Sequence, residues 1–122
     1  MTQGHHNTFS IRDENPPAED EQTKPTWVHH TERSSMAVVQ IPPGGGLAPH
    51  YHQEHDELMI MVEGQCRFRL GDGELMASAG EVVAAPAGTV HAPVFSKDGC
   101  LMLAVFAPWF DTDNPDRIFV ED

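Results

Sequence analysis

The sequence predicts an all-β fold, an antiparallel sandwich or barrel. Short β-branched or aromatic runs recur at close intervals from Trp27 onward, and turn-forming residues separate them. Glycine and proline contribute ten residues each, which favours many short strands joined by tight turns. Because no stretch carries a helical period long enough for a crossover helix, neighbouring strands are expected to pair antiparallel.

The first half of the fold is predicted to contain three strands. Two of them are "TWVHH" (26–30) and "MAVVQI" (36–41), which the polar stretch "TERSS" separates. "PPGGGLAP" (42–49) then interrupts the pattern with residues that break regular structure. The third strand, "ELMIMVEG" (57–64), is predicted to end in a turn at Gly64.

The second half is predicted to contain two strand pairs and one very apolar strand. "CRFRLGDGELMA" (66–77) has the form of a hairpin with a "GDG" turn. "EVVAAPAGTVHAPVF" (81–95) gives a strand, a "PAG" turn and another strand, and "CLMLAVFAPWF" (100–110) is the most hydrophobic strand. The acidic tail that follows contains an apolar docking patch of Ile118, Phe119 and Val120.

Composition divides the chain into an arm and one domain. Residues 1–26 are predicted to be a flexible acidic arm, because "RDENPPAEDEQTKP" is polar and interrupted by proline. Residues 27–122 are predicted to form a single β-barrel domain, which suits the chain length of 122 residues.

Charge and cysteine content narrow the class of protein. The net charge is −12, from 19 acids and 7 bases, which argues against nucleic acid or an anionic membrane as a partner. No basic segment followed by an apolar one begins the sequence, and no apolar run has the ~20 residues of a membrane span. We therefore expect a cytoplasmic protein in which Cys66 and Cys100 are reduced, although the sequence leaves a single disulfide open.

Histidines and a carboxylate form the candidate site. His50 and His52 are two residues apart, so in a strand both imidazoles point to the same face. Glu57 begins the next strand, and His91 follows the "PAG" turn. Imidazole and carboxylate groups together suit a divalent transition metal, so these four residues are the predicted ligands.

These residues and the glycines around them resemble the two motifs of the cupin superfamily. The resemblance covers residues 44–95 and departs from the family at Phe95, which stands where the second motif has asparagine. It implies a double-stranded jelly roll, a barrel of two sheets that holds the metal inside. The first motif is matched by Gly44, His50, His52, Glu57 and Gly64, and the second by Gly80, Pro86, Gly88 and His91.

Strand alternation predicts which side chains surround the metal. If Glu57 points inward, Met59 and Met61 do so as well, and if His91 points inward, so does Phe95. In "CRFRL" the apolar set that includes Phe68 should face inward, because burying Arg67 and Arg69 without partners would be costly. The predicted substrate pocket is therefore Met59, Met61, Phe68 and Phe95.

The predicted pocket contains no inward-facing cation, which favours a neutral or aromatic oxygen-bearing substrate over a small dianion. The leading hypothesis is a metal-dependent enzyme of the dioxygenase or oxidoreductase type, with manganese or iron favoured and zinc, nickel or copper possible. The alternatives are a non-oxidative decarboxylase, lyase, isomerase or cyclase, and a non-catalytic cupin that binds a small molecule. Glu54 and His55 are the candidates for an acid or base at the pocket mouth.

The resemblance also implies an oligomer. Small single-domain cupins are commonly homodimers, and the two strands between Trp27 and Ile41 are the expected interface.

Overall fold

Two antiparallel sheets pack face to face in the computed structural model, which describes residues 4–120. Residues 1–3 of the predicted arm and residues 121–122 of the predicted domain lie outside the described residues. The prediction of an all-β fold is confirmed. In chain order the elements are helix α1 (Thr8–Glu14) and strands β1 (Lys24–His30), β2 (Ser35–Ile41), β3 (His50–Tyr51), β4 (Asp56–Leu70), β5 (Gly73–Ser78), β6 (Val82–Ala85), β7 (His91–Phe95), β8 (Cys100–Ala107) and β9 (Ile118–Phe119).

The long strand β4 belongs to both sheets. Its first part lies between β8 and β6 in a sheet of order β1-β2-β8-β4-β6, and every pair in that sheet is antiparallel. Its second part lies between β5 and β7 in a sheet of order β5-β4-β7-β3-β9, also antiparallel throughout. One continuous strand therefore joins the two layers that enclose the core.

Gly64 lies within β4, so the prediction that the strand ends there in a turn is wrong. The residue has a φ of +84°, and a Cβ at this position would lie 2.6 Å from the carbonyl oxygen of Gly99. The register against β8 also shifts between Met61 and Glu63. A left-handed glycine and an irregular register bend a strand without ending it, which lets β4 pass from one sheet to the other.

The two predicted turn segments have different roles. The "GDG" turn joins β4 to β5, which pair directly as the hairpin signal predicts. The "PAG" turn instead joins β6 of the first sheet to β7 of the second, and β6 and β7 each pair with β4. This turn therefore crosses between the sheets and brings the start of β7 to the end of the barrel where β3 lies.

The core consists of inward-facing side chains from both sheets. Met59, Met61 and Phe68 are buried, as alternation predicts, and Arg67 faces outward. Buried apolar area of this kind is the main favourable term in folding. The cluster comprises Ala37, Val39, Ile41, Met59, Met61, Cys66, Phe68, Ala77, Val83, Ala85, Met102, Ala104, Phe106 and Phe110.

Phe95 faces outward, so the prediction that it lines the interior is wrong. Pro93 pairs with Phe68, but Phe95 pairs with Arg67, so β7 advances two residues while β4 advances one. This bulge reverses the alternation after Pro93. The Phe95 side chain is 39% exposed, and the guanidinium carbon of Arg67 lies 5.6 Å from the centre of its ring.

The predicted arm contains structure that the sequence did not indicate. Helix α1 begins after Asn7, whose side chain accepts hydrogen bonds from the backbone N–H groups of Phe9 and Ser10. Arg12 forms an ion pair with Glu63 of β4. Strand β1 begins at Lys24, inside the range assigned to the arm. Among residues 4–120 no helix is long and apolar enough to cross a membrane.

The same substitution at Phe68 and at Phe95 should have very different costs. Phe68→Ala removes a side chain with no exposed area, so we expect the free energy of unfolding to fall by about 3–5 kcal/mol. Phe95→Ala removes a ring on the outer surface and should cost about 1 kcal/mol or less. Urea unfolding of both variants measures the difference. Equal losses would contradict the bulge that turns Phe95 outward.

Candidate metal centre

Four side chains from three parts of the chain meet at one end of the barrel. His50 begins β3, His52 directly follows it, Glu57 is the second residue of β4, and His91 begins β7. His50 and His91 are direct partners across the β3–β7 pair. All four residues are buried, and their potential ligand atoms lie within 4.8 Å of one another. The structure therefore brings together the four residues that the sequence predicted.

Hydrogen bonds connect the loops that carry these ligands. The backbone N–H of Gly88, in the "PAG" turn, donates to the carbonyl of His52 at 2.7 Å. The neighbouring N–H of Ala87 donates to a carboxylate oxygen of Asp56 at 2.9 Å. The turn before His91 is thereby fixed against the loop between His52 and Glu57, although the two are far apart in sequence.

Backbone carbonyl groups set the tautomer of all three histidines. Nδ1 of His50 lies 2.8 Å from the carbonyl oxygen of Ala48, and Nδ1 of His91 lies 2.9 Å from that of Thr89. Nδ1 of His52 lies 2.6 Å from the carbonyl oxygen of Asp116. A carbonyl oxygen only accepts hydrogen bonds, so each Nδ1 must carry the proton. In the neutral imidazoles each Nε2 therefore has a lone pair free for coordination.

Glu57 supplies the fourth ligand, and its position tests whether a cation fits. Its Oε1 lies 3.0 Å from Nε2 of His52 and 2.8 Å from Nε2 of His91. A carboxylate and two imidazole lone pairs are all acceptors, so a buried group of this kind needs a proton or a cation among them. Imidazole nitrogen and carboxylate oxygen are also the donors that divalent transition metals prefer. The residues present therefore fit a metal ion.

The pKa values of the centre reflect burial and mutual contact. Burial alone would raise the pKa of Glu57, but its contacts with His52 and His91, which donate hydrogen bonds to the carboxylate when Nε2 is protonated, lower it to about 2. Burial lowers the pKa of His50 to about 4. Burial also acts to lower the pKa of His91, but its hydrogen bond with Glu57 raises the value overall. At neutral pH His50 is therefore neutral and Glu57 is ionised, which are the forms that bind metal.

Asp116 supports the centre from the C-terminal segment, and the sequence analysis did not identify it. Its carbonyl oxygen accepts from His52, and its carboxylate accepts from the backbone N–H groups of Gln53 and Glu54 at 3.1 and 2.6 Å. Burial acts to raise the pKa of Asp116, but these N–H groups lower it overall. Asp116 therefore fixes both the His52 imidazole and the loop that follows it.

Neither proposed acid or base lies in the cavity. Glu54 is exposed on the loop outside the centre. His55 is buried instead against the rings of His52 and Phe110, with centroids 4.9 and 5.1 Å away. Its Nε2 lies 3.7 Å from Asp116 Oδ2, which is too long for a hydrogen bond. Burial lowers the pKa of His55, so this residue packs behind a ligand in its neutral form.

A cavity of about 150 Å³ opens onto the four ligands. Met59 lines it, as predicted, whereas Met61 and Phe68 lie in the packed core and Phe95 lies outside. Most of its walls are apolar and come from the first sheet. The lining residues are Thr23, Pro25, Trp27, Ala37, Val39, Leu47, His50, His52, Glu57, Met59, His91, Pro93, Met102, Ala104, Phe106 and Arg117.

Arg117 contradicts the expectation of a pocket without a cation. It lines the cavity while its own side chain remains exposed, so it lies at the mouth. One sequence signal could have indicated this residue, because Arg117 is the only basic residue after Lys97 and precedes the apolar patch of the tail. The backbone of that patch pairs with β3, because Ile118 and Phe119 form β9, but both side chains stay exposed.

Comparison with known proteins identifies the family. The sequence model of the cupin domain family matches residues 37–106, which run from within β2 to within β8 and include all four ligands. The chain belongs to the cupin family. The expected double-stranded jelly roll is thereby confirmed. A crystal structure from Klebsiella pneumoniae subsp. pneumoniae MGH 78578, of an uncharacterised conserved protein with a double-stranded β-helix domain, has a TM-score of 0.78 at 20% identity, covering 99% of this chain and 100% of that one.

Two characterised relatives resemble part of this cupin. Germin-like protein 5-1 of Oryza sativa subsp. japonica is 30% identical over 96 residues, which are 73% of this chain and 40% of the rice protein. Quercetin 2,3-dioxygenase of Bacillus subtilis (strain 168) is 30% identical over 76 residues, 58% of this chain and 23% of the bacterial enzyme. The chain thus spans less than half the length of either relative.

Removal of a predicted ligand should abolish tight metal binding without unfolding the barrel. Loss of an outer hydrogen-bond partner of a metal ligand lowers metal affinity by roughly tenfold or more. We expect His52→Ala and His91→Ala, which remove a ligand itself, to lower manganese affinity by more than that. His6→Ala, at an exposed position of the N-terminal segment, is the matched control. Elemental analysis after reconstitution measures metal content, and circular dichroism reports the fold. Full metal content in both site variants would refute the ligand assignment.

Metal-free protein should lose stability as the pH falls from 6.5 toward 4. The pKa of His50 is about 4 in the folded chain against an ordinary value of 6.5, so the unfolded chain takes up this proton first. A shift of that size corresponds to roughly 3 kcal/mol across this range. In urea unfolding, His50→Gln should show a shallower pH dependence than the wild type and than His30→Gln. Parallel curves for all three proteins would contradict the burial effect at His50.

Proposed function

We propose that this cupin is a metal-dependent oxidoreductase of the dioxygenase type, acting on a small oxygen-bearing substrate. The observation that carries the proposal is the convergence of three Nδ1-protonated imidazoles and one ionised carboxylate in the wall of a largely apolar cavity. A centre that only stabilised the fold would not need a cavity beside it. Structural metal sites normally close their coordination by protein ligands alone.

The ligand set favours manganese or iron, with zinc, nickel or copper as alternatives. We assign the ligands as His50, His52, Glu57 and His91. When bound, such an ion supplies Lewis-acid polarisation or redox chemistry at the coordination positions that four protein ligands leave open. The chain itself holds the imidazoles in the coordinating tautomer through the carbonyls of Ala48, Thr89 and Asp116.

The cavity walls favour a substrate with an apolar or aromatic body. Trp27, Met59 and Phe106 supply large apolar surfaces beside the ligands, and sulfur and ring contacts of this kind bind flat molecules well. The earlier preference for a neutral substrate depended on a pocket without a cation, and Arg117 removes that reason.

Similarity to quercetin 2,3-dioxygenase supports the oxidative class. The shared region amounts to 23% of that enzyme, so the likeness supports the type of reaction and not the substrate. The match to the germin-like protein covers a larger share of that protein, 40%, but its name states no reaction.

A cupin that binds a small molecule without turning it over is the second candidate. One observation favours it: among residues 4–120, the polar side chains lining the cavity beyond the four ligands are those of Thr23, Trp27 and Arg117. Thr23 donates its hydroxyl proton to the carbonyl of Gly46. None of these three groups normally exchanges protons near neutral pH, whereas general acid–base catalysis requires a group that does.

We also expect a homodimer in the cytoplasm. Exposed apolar side chains on the outer face of the first sheet, among them Leu58 and Val82, support an interface there alongside the predicted strands β1 and β2. Cys66 and Cys100 are free thiols, and the Cys66 thiol lies within hydrogen-bond distance of the carbonyl oxygens of Arg67 and Phe95, which supports a reducing compartment.

Metal analysis combined with oxygen uptake tests the proposal. We expect the purified protein, reconstituted with iron(II) or manganese(II), to hold one ion per chain and to consume oxygen with at least one member of a panel of catechols and diketones. His52→Ala should lose both properties, and His6→Ala should keep both. Stoichiometric metal without oxygen uptake across the panel would overturn the oxidative proposal and favour non-oxidative chemistry or binding alone.

A further inference from the structure

The mouth of the cavity carries a positive charge that no acidic side chain among residues 4–120 neutralises. Arg117 lines the cavity, and within residues 4–120 its guanidinium forms no ion pair with an acidic side chain. In a chain with 19 acids and 7 bases, Arg12 and Lys24 have acidic partners, whereas the contacts of the Arg117 guanidinium are aromatic. The immediate sequence neighbour of Arg117 is also an acid, Asp116, but its carboxylate is used by the ligand loop.

The backbone holds Arg117 between two fixed residues. On one side, the carbonyl of Asp116 accepts the Nδ1 proton of His52. On the other side, Ile118 pairs with Tyr51 in the β3–β9 ladder. The Arg117 side chain therefore projects from a segment tied directly to the metal-ligand strand, and its position is set by the same contacts that set the ligands.

Two aromatic rings hold the guanidinium itself. Its central carbon lies 5.6 Å from the ring centre of Phe110 and 5.9 Å from that of Phe119. Phe110 in turn contacts the imidazole of His52, and Phe119 contacts that of His50. Stacking leaves the planar N–H groups at the guanidinium edge free to donate, and arginine is weakly hydrated, so the group is prepared to receive an anion.

We propose that Arg117 binds the carboxylate of the substrate, so that the substrate is a small organic acid held between the metal centre and the cavity mouth. This inference rests on the proposed function and adds the charge and chemical class of the molecule bound. A guanidinium matches a carboxylate through two parallel hydrogen bonds, which fixes orientation as well as position. The cavity of about 150 Å³ admits only a small molecule, since sites for drug-sized ligands have about 300–1,000 Å³.

Paired acid and amide probes test the assignment by titration calorimetry on manganese-loaded protein. The probes are salicylate with salicylamide and lactate with lactamide, because each pair differs only in the anionic group. Arg117→Gln should weaken binding of at least one acid by about tenfold, the effect of losing hydrogen bonds between charged groups, and change binding of its amide less than twofold. Arg117→Lys, which keeps the charge without the paired geometry, should fall between Arg117→Gln and wild type.

Arg67→Gln is the matched control, because Arg67 also stacks on a phenylalanine, Phe95, but on the outside of the barrel. It should leave the affinity for acids and amides unchanged. Unchanged acid affinity in Arg117→Gln would overturn the inference, and so would equal losses for acid and amide, which indicate a structural effect. A wild type that binds neither salicylate nor lactate would overturn it as well.

Metal content and oxygen uptake with the catechol panel, measured on the same preparations, separate this inference from the proposed function. If Arg117→Gln has normal metal content, normal oxygen uptake and unchanged acid binding, the carboxylate site alone is refuted. If the wild type takes up no metal, the proposed function is refuted. The carboxylate site would still be supported in that case if the metal-free wild type binds the acid and Arg117→Gln does not.

Discussion

The carbonyl oxygens of Ala48, Thr89 and Asp116 each accept the Nδ1 proton of one imidazole, and the rest of the centre depends on this arrangement. Because those protons are fixed on Nδ1, the Nε2 lone pairs of His52 and His91 and the carboxylate of Glu57 can all be directed at one cation. An imidazole that is free to rotate could present either nitrogen to the metal, and it would lose rotational freedom on binding. Preorganisation of this kind lowers the entropic cost of assembling a metal site.

The fold serves this arrangement through two unusual features. Strand β4 runs through both sheets, so Glu57 enters from the first sheet while β7, which begins with His91, pairs with the far end of the same strand. The "PAG" turn passes from β6 to β7 and is hydrogen-bonded to the carbonyl of His52. The bend at Gly64 allows one strand to have both sets of partners.

Much of this architecture could be predicted because its signals are local. The strands follow from short apolar runs, and His50 with His52 follows from the two-residue repeat of a strand. Phe95 could not be placed correctly, because the bulge that reverses its direction arises from pairing with β4 and leaves no mark in the sequence. Alternation holds only until the register shifts.

The contributions of Asp116 and Arg117 could not be predicted for a different reason. Asp116 contacts His52 across 64 residues of sequence, and its segment is irregular apart from the two-residue strand β9. In the sequence this tail has the acidic, proline-containing composition of a solvated segment. Its position depends on the pairing of β9, and the apolar patch that forms β9 is too short to indicate a strand or the pairing partner of that strand.

The C-terminal segment joins two properties of the site that are usually supplied by separate elements. Asp116 orients a ligand through its main chain, and the next residue, Arg117, places a cation at the cavity mouth. A displacement of this segment therefore alters the direction of the His52 imidazole and the position of the guanidinium together. The segment is tied to the loop of His52 by the hydrogen bonds of Asp116, to β3 by β9, and to Pro49 by the N–H of Val120. A ligand that contacts both the metal centre and Arg117 would stabilise the C-terminal segment. The positions of the His52 imidazole and of the Arg117 guanidinium would then be fixed together.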